Sequence, residues 1–175
     1  MTLFAGLKEF DGKSTQSLER LDDRLDRNDA TIEDLIAAAE EHDPKMQSGA
    51  TWILKRWNDQ QEPLIEGQIT ALAKLLKKVD HWEAKLHLLQ LLSTHRLPAA
   101  VCRTLQKPLE ALQRHENKFV RAWTYSVIAA TAETRKSLRE PTCQLLDQAE
   151  ATEAASVKAR IRQIRKNYTW AKSSR

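Results

Sequence analysis

Residues 120–123 read Val-Arg-Ala-Trp, and 37 residues further on, residues 157–160 read Val-Lys-Ala-Arg. The same pattern occurs earlier as Trp-Glu-Ala-Lys at residues 82–85, and a weaker copy, Ser-Gly-Ala-Thr, stands at residues 48–51. The alanines of the four copies are separated by 34, 38 and 37 residues. Self-similarity at a nearly fixed period is the sequence signature of a repeat protein. We therefore predict that the chain is built from copies of one structural unit.

The segments that precede these motifs repeat as well. Four leucines are each separated by 37 residues: Leu35, Leu72, Leu109 and Leu146. Apolar residues between the motifs have helical spacing, as in one run with steps of four and three: Ile65, Ile69, Leu72, Leu76 and Val79. No stretch alternates with a period of two, which disfavours strands. A unit of about 37 residues with two helices is typical of an α-solenoid, in which stacked helix pairs share one core.

On these motifs the chain resembles the HEAT-repeat family and its armadillo-like relatives. The segments 120–122 and 157–159 look like the Val-Arg/Lys pair that opens the second helix of a HEAT unit, and Pro108 and Pro141 are similar to the prolines that kink its first helix. The resemblance implies an all-α, right-handed α-α superhelix of about four helix pairs. The first unit departs from the pattern, with Gly49-Ala50 in place of Val-Arg.

The length of 175 residues fits one domain. We expect residues 1–28 to form an acidic N-terminal helical cap and residues 29–175 to form the HEAT-like repeat domain, because the terminal unit of a solenoid must cover an open apolar end. The first 13 residues have neither a basic segment nor a long apolar segment, so we expect no secretory signal.

Prolines mark several expected helix boundaries. Three of them suit the first turn of a helix: Pro44 (after the N-cap residue Asp43), Pro63 and Pro98. Pro108 and Pro141 lie inside helical patterns, where we expect a kink or a restart of the helix.

Charge is distributed unevenly along the chain. Residues 1–44 have a net charge of −7 and residues 155–175 a net charge of +7, whereas the whole chain has +4. Such asymmetry can steer a partner, and it permits head-to-tail self-association. A pI of about 9.1 keeps nucleic acid as an alternative partner.

The resemblance implies that the second helices line a concave surface. We took the polar stripe of the helix near Trp82 and moved it by the repeat offset to the other units. The resulting partner-binding candidates are Arg56, His87, Arg121, Tyr125, Lys158, Arg162 and Arg165. We expect this basic face to bind an acidic protein segment, and charge reversal at Arg121 or Arg162 to weaken binding. For Arg121 and Lys158 there is an alternative: pairing with an acid in a neighbouring turn, such as Asp80 for Arg121.

The five tryptophans have more than one interpretation. We expect Trp82 and Trp123 to fill the core. Trp52 and Trp57 are five residues apart, so at least one of them should be partly exposed. Trp170 lies among basic residues, where it could stack on a base or cap the last helix pair; we favour capping.

No motif points to catalysis, a metal or a cofactor. The five histidines lack a His-Glu-x-x-His pattern, four glycines form no phosphate loop, and Cys102 and Cys143 have no metal-type spacing. No apolar run is long enough for a membrane span. We therefore expect a non-catalytic cytoplasmic scaffold or adaptor without a cofactor.

The alternative is a nucleic-acid-binding HEAT-like protein related to alkylpurine DNA glycosylases. That family is an enzymatic exception among such folds, with aromatic residues and an essential aspartate on a basic concave face. The inferred stripe offers Tyr125, but Glu83 is its one acid.

Overall fold

A computed structural model describes residues 2–60 and 64–172, and within these ranges the chain forms ten α-helices and no strand. The helices are α1 (Leu3–Lys8), α2 (Gln16–Asp22), α3 (Asp29–Ala39), α4 (Pro44–Asp59), α5 (Glu66–Leu75), α6 (Trp82–Leu92), α7 (Ala99–Leu112), α8 (Lys118–Thr134), α9 (Arg139–Thr152) and α10 (Ala155–Asn167). The prediction of an all-α fold is therefore confirmed. In chain order, α3 to α10 correspond to the four predicted helix pairs.

The chain divides into two compact units, Met1–Leu88 and Leu89–Arg175, and the boundary falls within α6. We call them unit 1 and unit 2. The superhelical arrangement and the division into a cap (residues 1–28) and one repeat domain (residues 29–175) stay predictions.

In unit 1, the short helices α1 and α2 pack against α4. Gly49 of α4 lies at this contact, where an added Cβ would approach side-chain carbons of Leu7 and Leu18 to 3.2 Å. A valine or arginine at this position would require the N-terminal helices to move away. The departure of the first unit from the Val-Arg pattern thus has a steric reason.

A buried carboxylate joins α2 to α4. Asp22, at the end of α2, is 3% exposed. It accepts a hydrogen bond of 2.9 Å from Nε of Arg56 and another from the indole N–H of Trp57, and Arg27 lies 3.6 Å away. Because buried charges are stable only when paired, these donors make Asp22 tolerable in the core.

In unit 2, α7, α9 and α10 all pack against α8. Side chains of α8, α9 and α10 share one apolar cluster, which includes Tyr125, Leu146 and Ile161. The helices α8 and α10 lie side by side and point in the same direction, since residues 37 apart line the same cavities between them. These pairs are Phe119 with Ser156, Trp123 with Arg160, and Ser126 with Gln163.

One contact recurs at the fourth residue of every second helix. Each of these side chains donates a hydrogen bond to a backbone carbonyl shortly before its own helix: Gln47 to Glu41 (2.9 Å), Lys85 to Asp80 (3.1 Å), Arg121 to His115 (2.8 Å) and Lys158 to Ala151 (3.3 Å). Carbonyls after a helix lack intrahelical partners, so a nearby donor or cation satisfies them. The contact is therefore the same by helix position in all four pairs, whereas only Arg121 and Lys158 occupy the same position of the sequence motif.

The motif alanines do not all have the same environment. Ala84 and Ala122 are buried as expected for close helix packing, whereas Ala159 is exposed. Beyond α10 the described residues contain only a short 3₁₀ turn, Thr169–Ala171.

The prolines meet some of the expectations. Pro44 is the first residue of α4, and Oδ1 of Asp43 accepts from the backbone N–H of Lys45 at 2.8 Å. Pro98 is the N-cap residue of α7, one position before the expected first turn, and Pro63 lies outside the described residues. Pro141 lies in the first turn of α9, where a helix restarts after a 3₁₀ turn. By contrast, α7 continues through Pro108.

The Asp22 carboxylate gives a stability prediction. Asp22→Ala leaves the indole N–H of Trp57 buried without an acceptor and removes the partner of Arg56, so we expect a loss of about 3 kcal/mol in the free energy of unfolding. Urea denaturation measures this change. Asp23→Ala, at the exposed neighbouring position, is the control, and equal losses in both variants would contradict the proposed role of Asp22.

Candidate functional site

An open surface of unit 2 lies between α8 and α10, and we call it the α8–α10 furrow. It is lined by Phe119, Trp123 and Ser126 from α8 and by Ser156, Arg160, Gln163 and Asn167 from α10, and Ser93 and Thr94, just after α6, also line its middle part. Cavities of about 320 and 260 Å³ follow one another along it, and a third of about 580 Å³ lies at its end beside Ser93, Lys136 and Tyr168.

The furrow has a length suited to a peptide. Its α8 side extends from Phe119 to Thr134, which is about 22 Å at 1.5 Å per residue. An extended chain advances about 3.3 Å per residue, so about six or seven residues would fill it.

Arg160 and Trp123 form a close contact in the furrow. The guanidinium carbon of Arg160 lies 3.5 Å from the centroid of a Trp123 ring, well within the range of a cation–π interaction. Burial lowers the pKa of Arg160 below its ordinary value, although an arginine remains charged at neutral pH. Within the described ranges no carboxylate forms an ion pair with this guanidinium.

Three other arginines of unit 2 are occupied by carboxylates. Arg121 binds Glu153 at 3.1 Å, and Arg139 binds Glu133 at 2.9 Å. Arg165 binds Asp147 at 2.5 Å and also contacts Glu150. Arg160 differs from all three, because an aromatic ring takes the place of an acid.

The cavity nearest the start of α10 contains a second unpaired polar group. The hydroxyl oxygen of Ser156 is buried and has no hydrogen-bond partner among the described residues. Phe119, which is 48% exposed, lines the same cavity, and Nζ of Lys118 lies 5.4 Å from the centroid of its ring. This end of the furrow therefore combines a cation, an unpartnered hydroxyl and an exposed aromatic ring.

Two of the partner-binding candidates are not exposed. Tyr125 is 5% exposed and lies in the apolar cluster of unit 2, so its expected position on an open stripe is wrong. The side chain of Arg165 is 12% exposed. It connects two acids of α9 to the carbonyl of Ala171, at 2.8 Å, which makes it a structural clamp rather than a contact residue.

Arg121 follows the alternative of pairing with an acid in a neighbouring turn, whereas Lys158 binds a backbone carbonyl in place of an acid. Arg121 donates to both oxygens of Glu153 and to the carbonyls of His115 and Glu116. Its acid is thus Glu153, in the turn before α10, whereas the sequence had suggested Asp80. Lys158 is half-buried and donates to the carbonyl of Ala151.

The three remaining partner-binding candidates have different surroundings. Arg56 of unit 1 binds Asp22, and its guanidinium lies 5.3 Å from the Trp52 ring centroid. His87, also in unit 1, is half-buried. Arg162 is exposed on α10 as expected.

The predicted stripe was displaced by two residues on α8 and α10. The furrow is lined by Trp123 and Arg160, whereas the sequence argument selected Tyr125 and Arg162. Two residues rotate a helix by about 200°, to nearly the opposite side. On α8 the polar pattern does not mark the exposed side, because three helices cover α8 and polar residues such as Thr124 are buried there. The signal was in the repeated motif itself, whose last positions are Trp123 and Arg160.

The exposure of the tryptophan side chains was also predicted only in part. Trp82 is 37% exposed and Trp123 is half-buried in the furrow, so core filling is wrong for Trp82 and incomplete for Trp123. Trp57 is buried and Trp52 half-buried, as the spacing required. The indole N–H of Trp170 donates to Glu133 at 2.7 Å, and the ring packs on the apolar cluster, which confirms the capping role.

His87 has an unusual titration. Burial, together with the positive charge of Lys55, lowers its pKa to about 4. Its Nδ1 lies 3.1 Å from the hydroxyl of Thr51. That hydroxyl donates its proton to the carbonyl of Gln47 at 2.7 Å, so we assign the proton of the neutral ring to Nδ1. His87 is therefore neutral at physiological pH and contributes no positive charge to a partner surface.

A more apolar groove lies on another side of unit 2, between α7, α8 and α9. It has a volume of about 220 Å³ and is lined by residues that include Leu109, Ile128 and Leu145. Cys102 also lines it, and burial raises the pKa of this thiol, which keeps it protonated. Nothing in the structure indicates what would cover this groove.

Within residues 2–60 and 64–172, no three His, Cys, Asp or Glu side chains are grouped as metal ligands. None of the described helices is both long and apolar enough to cross a membrane. No protein-family model matches the chain, and it has no significant match among curated proteins or solved structures.

The pKa of His87 gives a prediction for pH dependence. The unfolded chain binds a proton at this histidine below about pH 6.5, whereas the folded protein resists protonation down to about pH 4. Stability is therefore lost as the pH falls through this window, by about 2 kcal/mol at pH 4.5. His87→Gln should show a smaller difference in urea stability between pH 7 and 4.5. His42→Gln, at an exposed position, should retain the wild-type difference, and the same difference in both variants would contradict the assignment.

Proposed function

We propose that the protein is a non-catalytic, cytoplasmic HEAT-like adaptor that binds an extended acidic protein segment in the α8–α10 furrow. The contact between Arg160 and Trp123 carries this proposal, because it places an unpaired cation and an aromatic face in an open cavity. Such a pair offers both charge and apolar area to a ligand.

The charge of unit 2 supports an acidic partner. Unit 2 contains 16 Lys and Arg residues against 7 Asp and Glu residues, a net charge of +9, and unit 1 has −5. Lys136 is exposed at the far end of the furrow, and Lys166 is exposed on the last turn of α10, next to Asn167, which lines the furrow. Complementary charge favours encounter with an acidic chain and selects against basic ones. The opposite charges of the two units also support head-to-tail self-association, which light scattering at low and high salt would test.

Nucleic acid is the second candidate, through a basic HEAT-like surface of the kind found in alkylpurine DNA glycosylases. The exposed ring of Phe119 beside Trp123 and Arg160 favours it, because bases stack on aromatic rings and arginines. We favour the peptide because the cavity beside Phe119 and Ala159 also offers apolar surface to an aliphatic side chain.

Fluorescence anisotropy tests the proposal with a labelled ten-residue peptide in which glutamates alternate with leucine and serine. We expect saturable binding that weakens about tenfold in the double variant Lys136→Glu/Lys166→Glu, since two attractions become repulsions. The matched control is Lys74→Glu/Lys77→Glu, the same charge change at two exposed positions of unit 1, which should bind like the wild type. Equal binding by both double variants would contradict the proposed surface.

The salt dependence of binding distinguishes the nucleic-acid alternative from peptide binding. A twelve-nucleotide oligo-dT and a twelve-base-pair duplex are titrated at several salt concentrations, since phosphate contacts make the affinity fall steeply with salt. Tighter binding of either DNA than of the peptide at moderate salt would favour the alternative. The absence of binding by DNA at low salt would exclude it.

A further inference from the structure

We propose that the cavity between Phe119, Trp123, Ser156 and Arg160 is an anchor site for one acidic side chain of the bound segment, with an apolar neighbour of that side chain packed on Phe119. This inference rests on the proposed function and specifies the chemistry of the partner. The ligand group is an oxyanion, supplied either by a carboxylate or by a phosphorylated side chain.

The state of Arg160 is the first argument. A half-buried cation has lost part of its hydration and ordinarily needs an acid to compensate. Arg121, Arg139 and Arg165 each have one, whereas Arg160 forms no ion pair among the described residues and lies against the Trp123 ring. Trp123 covers one side of the guanidinium and limits its motion, so the N–H groups are held ready for an acceptor. A planar, pre-organised guanidinium binds carboxylates and phosphates with two hydrogen bonds.

Ser156 is the second, independent argument. Its hydroxyl oxygen is buried and unpartnered, and it lies one helical turn before Arg160 on the same face of α10. An unsatisfied buried polar group costs stability. Rotation of the Ser156 side chain about χ1 would turn the hydroxyl into the cavity that this residue lines, where a ligand oxygen would accept from it as well as from the guanidinium. The Ser156 hydroxyl and the Arg160 guanidinium can thus both donate hydrogen bonds, so the cavity favours a ligand group that is rich in acceptors.

Phe119 defines the neighbouring position. It lines the same cavity of about 320 Å³ and is 48% exposed, a large fraction for an aromatic residue. Burial of apolar area on this ring stabilises a complex by about 25 cal/mol per Å². An acidic residue adjacent to an aliphatic or aromatic residue would use both parts of the cavity, whereas a purely acidic segment would leave Phe119 uncovered.

The experiment is an NMR titration of the ¹⁵N-labelled full chain with small probes. The probes are N-acetylglutamate amide, phosphoserine with blocked termini, a thymidine dinucleotide with a phosphodiester, and sodium chloride. For the first two we expect saturable shifts that centre on the backbone of Ser156, Nε–H of Arg160 and the indole N–H of Trp123. The more responsive of these two probes identifies the source of the oxyanion.

Three variants test the roles of the residues. Arg160→Met keeps packing on Trp123 but removes the charge, and it should weaken binding at least about tenfold. Ser156→Ala should weaken it about threefold. Arg162→Met removes one exposed charge of the same helix and should cost no more than about twofold. Thermal melts of each variant establish that it is folded.

Several outcomes would overturn the anchor site. These are equal losses in Arg160→Met and Arg162→Met, shifts spread over all cations of α10, an equal response to chloride, or a stronger response to the dinucleotide. The proposed function has a separate test: peptide binding that depends on Lys136 and Lys166 but not on Arg160 would retain the adaptor and reject the anchor. Binding of the small probes without any peptide binding would retain the anchor site and reject the adaptor function.

Discussion

The packing of α8 against α10 is the interaction on which unit 2 depends. Val157, Ile161 and Ile164 of α10 lie in one apolar cluster with Tyr125 and Leu146. Neither helix could bury its apolar side alone, so each needs the equivalent helix of the next pair. A repeat of 37 residues sets these helices side by side in the same direction, and their uncovered sides form the furrow. The surface proposed for binding is thus a by-product of how the core is closed.

Helices and repeat period could be predicted from the sequence because both depend on local spacing. The position of Pro44 and the recurring leucines required no knowledge of neighbours. Which side of α8 is exposed depends on how many helices cover it, and that number is a tertiary property. The sequence argument therefore selected Tyr125 in place of Trp123. It also chose Asp80 for Arg121, because nothing in the spacing shows whether a preceding or a following turn supplies the acid.

Charged residues near the furrow divide into two groups with different physical roles. Arg121, Arg139 and Arg165 bind acids and backbone carbonyls, so they hold turns and helix ends together. Arg160 and Arg162 have no carboxylate in the described part of the chain. Net charge alone does not separate these groups, because an arginine neutralised within the fold attracts a partner only weakly. The cations relevant to binding are those that folding leaves uncompensated.

The parallel direction of α8 and α10 makes the two ends of the furrow chemically different. Both helix N-termini lie at the end with Phe119 and Ser156, so their partial positive charges add there. The other end carries the two C-termini and depends on side chains such as Lys136 to attract an anion. A strand of either direction would fit by length alone. The electrostatic gradient gives the surface a polarity, so it should distinguish a sequence from its reversal.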